Sequence, residues 1–237
     1  MTSDDVRPTP PHRLVLVTGC GRSGTRYMTF ILRRLGLDVR HERLGRDGIA
    51  SWALAVDAEQ VPWGPSARTA SFELILHQVR HPLAVVNSVM TFKDASWRFV
   101  CDHIACSLED PLPLRAARYW YLWNAEAQRK ADFTFRVEDI RAALSAICTR
   151  LGVQADASVV DRVPTDVNTR SKGRLFHLAE EALERLQLEP PTWLRTALEL
   201  DDRRPAHQQI SWHDIRVLDP VLCDRMIGRA RGYGYNV

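Results

Sequence analysis

Seven residues near the amino terminus, Gly19-Cys20-Gly21-Arg22-Ser23-Gly24-Thr25, combine glycines, hydroxyls and a cation, the parts from which a phosphate cradle is made. Glycines let the main chain approach a ligand closely, and the N–H groups that open a following helix point at whatever anion sits there. Ser23 and Thr25 add hydroxyl donors, and Arg22 and Arg26 add charge. The spacing from Gly19 to Gly24 fits the first part of a Walker A loop, but Thr25 stands where the lysine belongs and Arg26 where the magnesium-holding Ser/Thr belongs. An ordinary ATPase or GTPase therefore fits poorly. A glycine-rich turn that binds nothing is the alternative to be weighed against the cradle.

The neighbouring elements place this turn. Leu14 to Val17 form a continuous apolar run of the kind expected of a strand buried on both faces. Tyr27, Met28, Phe30, Ile31, Leu32 and Leu35 follow at helical spacing, and Gly36 stops the helix. A second apolar run, Phe72 to Val79, predicts another buried strand that ends at Arg80-His81-Pro82 before a helix through Val85, Val86, Val89 and Met90. Arg80 thus falls at a strand's carboxyl end, where open parallel sheets bind ligands, with Ser88 eight residues on. A planar guanidinium donates two parallel hydrogen bonds to phosphate oxygens, and a nearby hydroxyl adds a third. Further on, Asn168, Arg170, Lys172 and Arg174 lie in a basic, glycine-containing stretch that holds one of only three lysines.

These motifs resemble the donor-binding elements of the PAPS-dependent sulfotransferases. Arg22-Ser23-Gly24-Thr25 is similar to that family's 5'-phosphosulfate loop, with Gly21 and Arg26 flanking it, and Arg80 with Ser88 has the spacing of its 3'-phosphate pair. The Asn168 to Arg174 stretch looks like the late basic loop that closes over the nucleotide. Arginine at position 22 is closer to tyrosylprotein and bacterial members than to the cytosolic steroid and phenol enzymes, which carry lysine there. Arg26 departs from a commoner second threonine, and no counterpart of the cytosolic enzymes' catalytic histidine motif lies between the first turn and Arg80. The resemblance implies a three-layer α/β/α P-loop fold with a short central parallel sheet. It also implies PAPS as co-substrate, no metal, and a small-molecule or glycan acceptor.

Sulfonate transfer is an in-line displacement in which the protein positions groups and stabilises charge on the leaving phosphate, the role expected of Arg22. The acceptor needs a base. Glu42, at the end of the predicted strand Leu37 to Glu42, is the first choice, and a glutamate stands at about this distance in tyrosylprotein and several bacterial relatives. His41 is the runner-up, since its intrinsic pKa suits proton transfer, but strand alternation lets only one of the two face the site. Downstream, Gly45 to Leu54 reads as a turn feeding an apolar helix. Trp52, Trp63 and Trp97 flank the site as acceptor wall or as core, and Ala95 to Cys106 reads as a lid helix. Glu138 or Asp139 is expected to cap a helix from Ile140 to Leu151.

At 237 residues the chain can bury one substantial core, and no linker divides it, so a disordered tail over 1–13 and a single domain over 14–237 are expected. Helical periodicity dominates after Leu112, including Arg115 to Arg129, Leu175 to Leu188 and Val221 to Arg231. The proline-rich start is no secretory signal and no apolar run is long enough to cross a membrane, which points to the cytoplasm, and the bias of Arg over Lys to a bacterial, GC-rich genome. The net charge of +3, with both signs interleaved, gives no support for nucleic-acid binding. A homodimer is compatible with all of this. Five cysteines without CxxC spacing indicate neither zinc nor a disulfide framework, and Cys20 is read as a small filler before a reactive thiol. A P-loop phosphotransferase using Arg22 for the usual lysine lacks a Walker B aspartate on the strand ending Gln78-Val79-Arg80, and a binding module without catalysis is the third alternative.

Overall fold

A computed structural model describes residues 14–57, 71–163 and 209–237, which belong to one compact unit. Five parallel strands form its sheet: β1 Val15–Thr18, β2 Val39–His41, β3 Gly48–Ala50, β4 Leu74–Val79 and β5 Phe133–Arg136. Their spatial order is β2-β3-β1-β4-β5. β1 is buried at every position, which is why its sequence is continuously apolar. Helices cover the sheet in the three-layer α/β/α arrangement expected. α1, Thr25–Arg34, packs on β1, β2 and β3, driving Met28, Ile31 and Leu32 inward. α4, Leu112–Lys130, packs on β4 and on α2, Pro82–Val89. α3, Asp94–His103, α5, Ile140–Leu151, and α6, Ser158–Arg162, precede a final pair, α7, Trp212–Leu218, and α8, Pro220–Gly232.

The main core gathers Trp52, Trp97, Phe99, Tyr119, Trp120 and Trp123 with Val79, Val85, Val86, Ile215 and Met226. Trp52 and Trp97 are therefore core residues and not an exposed acceptor wall, at 8% and 3% exposure. Likewise α3 is no lid. The segment does form a helix, but Trp97, Phe99 and Val100 seat it in this core.

The connection from β2 to β3 also departs from expectation. Parallel neighbours ordinarily need a dozen or more residues to cross over, whereas only 42–47 intervene here. The expected apolar helix after Gly45 is instead the three-residue strand β3 followed by a single helical turn, Ala53–Ala55. Strands this short span roughly 10 Å, so the return is short enough for a tight loop. Asp38 braces it, its carboxylate receiving the Arg40 guanidinium at 2.7 and 2.8 Å and the Arg46 N–H at 2.9 Å. The Arg40 bonds hold the Asp38 carboxyl below its ordinary pKa. Gly48 must be glycine, because a Cβ there would lie 2.0 Å from the Val15 carbonyl oxygen.

Candidate functional site

The turn from β1 to α1 lies at the carboxyl edge of the sheet, beside the β1/β4 pair. From β1 the chain moves to one side, through α1 to β2 and β3, and then across to β4 on the other, so this pair is the topological switch point where such sheets bind ligands. Gly19 is required, since a Cβ would lie 2.2 Å from the Gln78 carbonyl oxygen on β4. Gln78 Nε2 donates to the Ser23 carbonyl at 2.7 Å, and Ser23 N–H donates to the Cys20 carbonyl at 3.1 Å. Gly24, at φ 91°, opens α1 without a side-chain cap, and the first turn of α1 carries no acidic residue. The first intrahelical bond runs from the Met28 N–H to Gly24, so the preceding N–H groups face out of the helix start.

Several polar atoms cluster unsatisfied around this turn. Thr18 Oγ1, Ser23 Oγ and Gln78 Oε1 are buried without a partner among the described residues. A buried polar group left unpaired costs about 1–3 kcal/mol, which makes their gathering at one strand edge informative. The donor set, two hydroxyls, a bare helix start and the cations Arg22 and Arg26, suits a phosphate or sulfate group.

The two motifs identified separately in sequence meet here. Arg80 Nη1 donates to the Arg22 carbonyl at 3.0 Å, tying the end of β4 to the turn. Trp120 Nε1 donates to the Arg80 carbonyl at 3.3 Å. Ser88 lies near the end of α2, where its carbonyl accepts from Thr91 Oγ1 at 3.0 Å. Asn168, Arg170, Lys172 and Arg174, Trp63, the tail over 1–13 and the helix expected over Leu175 to Leu188 lie outside the described residues.

Among the described residues, only Arg22, at φ 72°, and Glu42, at φ 52°, are non-glycine residues with positive φ. A left-handed conformation costs an L-residue about 1–2 kcal/mol, and such strain concentrates at functional sites. It also overturns the expectation that His41 and Glu42 point apart. Alternation holds only for extended backbone, and the left-handed turn at Glu42 brings its Oε1 to 3.9 Å from His41 Nε2. The Glu42 carboxylate accepts from Ser51 Oγ at 2.6 Å and from the Trp52 N–H at 3.3 Å. His41 Nε2 lies 3.3 Å from Thr25 Oγ1, in the first turn of α1. Partial burial, reinforced by the Arg26 and Arg22 guanidinium groups, holds the His41 pKa well below its ordinary value, so the ring is neutral near pH 7.

Sequence reasoning missed Tyr119 and gave Glu138 a different role. Tyr119, wholly buried in α4, accepts the Gly21 N–H on its hydroxyl at 2.7 Å and so fixes the turn from below. Burial raises its phenol pKa well above the usual value, with Glu42 acting in the same direction and Arg22 against it. Its position in an apolar helical stripe gave no sign of this. Glu138 does not cap α5. Its carboxylate accepts the His81 N–H at 2.8 Å and the Tyr235 hydroxyl at 2.9 Å, while Asp139, at the start of α5, pairs with Arg136 and makes no capping bond.

Cys20 is the filler expected: it is fully buried, with its thiol pKa raised by that burial. Cys101 and Cys106 do form a disulfide, contrary to expectation, because α3 ends at His103 and the chain turns back to bring their Cα atoms to 5.0 Å. Among the described residues no group of three or more His, Cys, Asp or Glu is arranged to hold a metal, and no helix is long and apolar enough to cross a membrane. No protein-family model, curated protein or solved structure matches this chain. Fold and site together define an α/β protein with a glycine-rich turn at its switch point, beside a glutamate and a histidine.

Proposed function

We propose that the protein is a sulfotransferase that moves a sulfonate group from 3'-phosphoadenosine 5'-phosphosulfate to a hydroxyl or amine of a small-molecule or glycan acceptor. The observation that carries this reading is the bond from Arg80 to the Arg22 carbonyl, which unites two motifs that resemble the donor-binding elements of that family. The co-substrate supplies the sulfonate and a phosphate leaving group. Ser23, Gly24, Thr25 and Arg26 receive the 5'-phosphate at the start of α1, and Arg80 with Ser88 receives the 3'-phosphate.

Arg22, whose guanidinium lies over the Phe92 ring, would serve the oxygen that bridges sulfur and the 5'-phosphate. As that bond breaks, negative charge develops on the phosphate, and a preorganised guanidinium stabilises it. Glu42 takes the acceptor's proton as the new bond to sulfur forms. Ser51 and the Trp52 N–H hold its carboxylate in one orientation for that task.

The test is transfer of labelled sulfonate from the donor to a panel of phenols, alcohols, amines and saccharides, with the wild type and Glu42→Gln compared. The expected result is transfer that Glu42→Gln lowers by about 10²–10⁴-fold, the usual contribution of a general base, with nucleotide binding retained. Transfer of phosphate from magnesium ATP, without sulfonate transfer, would replace this reading with a phosphotransferase.

A further inference from the structure

We propose that the groove between α4 and α8 is a binding site for a small organic anion, an aromatic ring carrying a phosphate or carboxylate group. It shares no lining residue with the β1–α1 turn and does not rest on the sulfotransferase reading.

Tyr121 and Gln128 line the groove from α4, and Arg225, Gly228, Arg229 and Tyr233 line it from α8 and its end. Its volume is about 370 Å³, the size of a small-molecule pocket. The lining carries two positive charges and no negative one. Arg225 and Arg229 stand one turn apart on the same face of α8. The acids nearest to the lining in sequence are used elsewhere, Asp224 by Arg216 at 2.9 Å and Glu126 by Arg129. Among the described residues Arg225 makes no ion pair or hydrogen bond, and Arg229 Nε is buried without a partner. The pull of a helix C-terminus on cations accounts for Arg229 and Arg231 in the last turn, but not for Arg225, about two turns before the end.

The polar groups left on offer are donors. Gln128 Oε1 accepts the Tyr233 hydroxyl at 2.8 Å and Arg229 Nη1 at 3.4 Å, so the side of this amide that remains is its NH₂ group. Donors select a ligand that brings acceptors, and two guanidinium groups select an anionic one. The groove also suits a ring. The Arg229 guanidinium lies 4.6 Å from the Tyr121 ring centroid, and planar guanidinium and phenol groups offer faces on which an aromatic ligand stacks. The Tyr233 wall is preformed, its ring held edge-on by His77 and Trp120 at 5.8 and 6.2 Å between centroids. Gly228, inside α8, has open space where a Cβ would stand, and neither its φ nor a close neighbour requires glycine. A helix-interior glycine costs stability, and here it keeps the groove open.

The test titrates phenyl phosphate, benzoate, inorganic phosphate and phenol into the protein while NMR follows the Gly228 and Gly232 amide resonances. Gly228→Leu fills the groove, Arg225→Ala removes one charge, and Arg22→Ala reports on the β1–α1 turn, with urea unfolding to establish that each variant is folded. The expected result is that an aryl anion shifts both glycine resonances with a Kd of about 0.1–1 mM, and that inorganic phosphate and phenol bind about tenfold more weakly or less. Arg225→Ala weakens binding by about tenfold, Gly228→Leu abolishes it in a protein at least as stable as the wild type, and Arg22→Ala leaves it unchanged. A response to phenyl phosphate alone or to benzoate alone sustains the site and fixes its anionic group. No shift at either glycine with either aryl anion overturns the proposal, as does equal affinity for inorganic phosphate, or binding lost in Arg22→Ala and kept in Arg225→Ala.

Discussion

Two strand-to-helix junctions stand side by side at the carboxyl edge of the sheet, β1 to α1 and β4 to α2, and they treat their helix starts in opposite ways. At α2 the chain supplies its own anion: Pro82 at the first turn has no N–H, and the Glu138 carboxylate takes the His81 N–H. At α1 there is no cap and no acidic residue in the first turn, while Arg22 and Arg26 lie beside it and a buried hydroxyl waits unpaired. A helix start that its own fold has neutralised has no free N–H to offer, so at β4–α2 only a side chain such as that of Arg80 could meet a ligand. One without a side-chain cap or an acidic residue in its first turn can receive an anion from outside. Each junction also stands near a neutral histidine. His41, beside the first, is kept neutral by partial burial and by the Arg26 and Arg22 guanidinium groups. His77, within β4, is kept neutral by burial, at a pKa of about 4, and its ring bonds to Asn124 at 3.1 Å and Thr134 at 3.2 Å.

The largest effect expected is at the first junction. Arg22→Ala should weaken anion binding by about 2–3 kcal/mol, or roughly 30- to 150-fold, and reduce transfer further, since a charge-assisted bond at the leaving group is lost. Calorimetry with sulfate and turnover with the donor check this, and an unchanged affinity would erase the contrast between the junctions. Next comes acid stability. His77 has a folded pKa below its unfolded value, so the unfolded chain binds more protons and stability falls as pH drops below about 6.5. From pH 7.5 to pH 5 the loss from His77 should be about 2 kcal/mol, read from urea unfolding at each pH in a His41→Gln background, since the His41 pKa is lowered in the same direction.

Ser23→Ala sharpens the comparison through opposed signs. Removing a buried hydroxyl that lacks a partner should leave the protein as stable or more stable by up to about 1 kcal/mol, yet weaken anion binding several-fold. A loss of stability with unchanged binding would show the hydroxyl to be structural. The smallest effect is at the second junction. Glu138→Gln keeps the shape but removes the charge, and should cost about 1 kcal/mol by unfolding without altering sulfate affinity.

The turn and the strand end that meet at the candidate site were legible because each is local. Glycine, hydroxyl and arginine types at fixed spacing define Gly19 to Thr25, and an apolar run ending in Arg80 marks a strand edge. That these two meet follows from the order of parallel strands, which the alternation of strands and helices already implied. What was illegible depended on distance in sequence or on unusual backbone. Tyr119 supports Gly21 from 98 residues away, and nothing in a helical apolar stripe distinguishes a tyrosine with that task. Three-residue strands carry no periodic signal, so β3 was hidden within an apolar run. The convergence of His41 and Glu42 required a left-handed glutamate, which no propensity predicts. Cys101 and Cys106 pair only because α3 stops between them.

The most direct test of the account is calorimetric titration of the wild type and Arg80→Ala with adenosine 3',5'-bisphosphate, with and without magnesium, and with magnesium ATP as competitor. The account predicts micromolar binding that needs no metal, resists the competitor and falls by an order of magnitude or more in Arg80→Ala. Binding of magnesium ATP in place of the bisphosphate, or bisphosphate binding indifferent to Arg80, would contradict it.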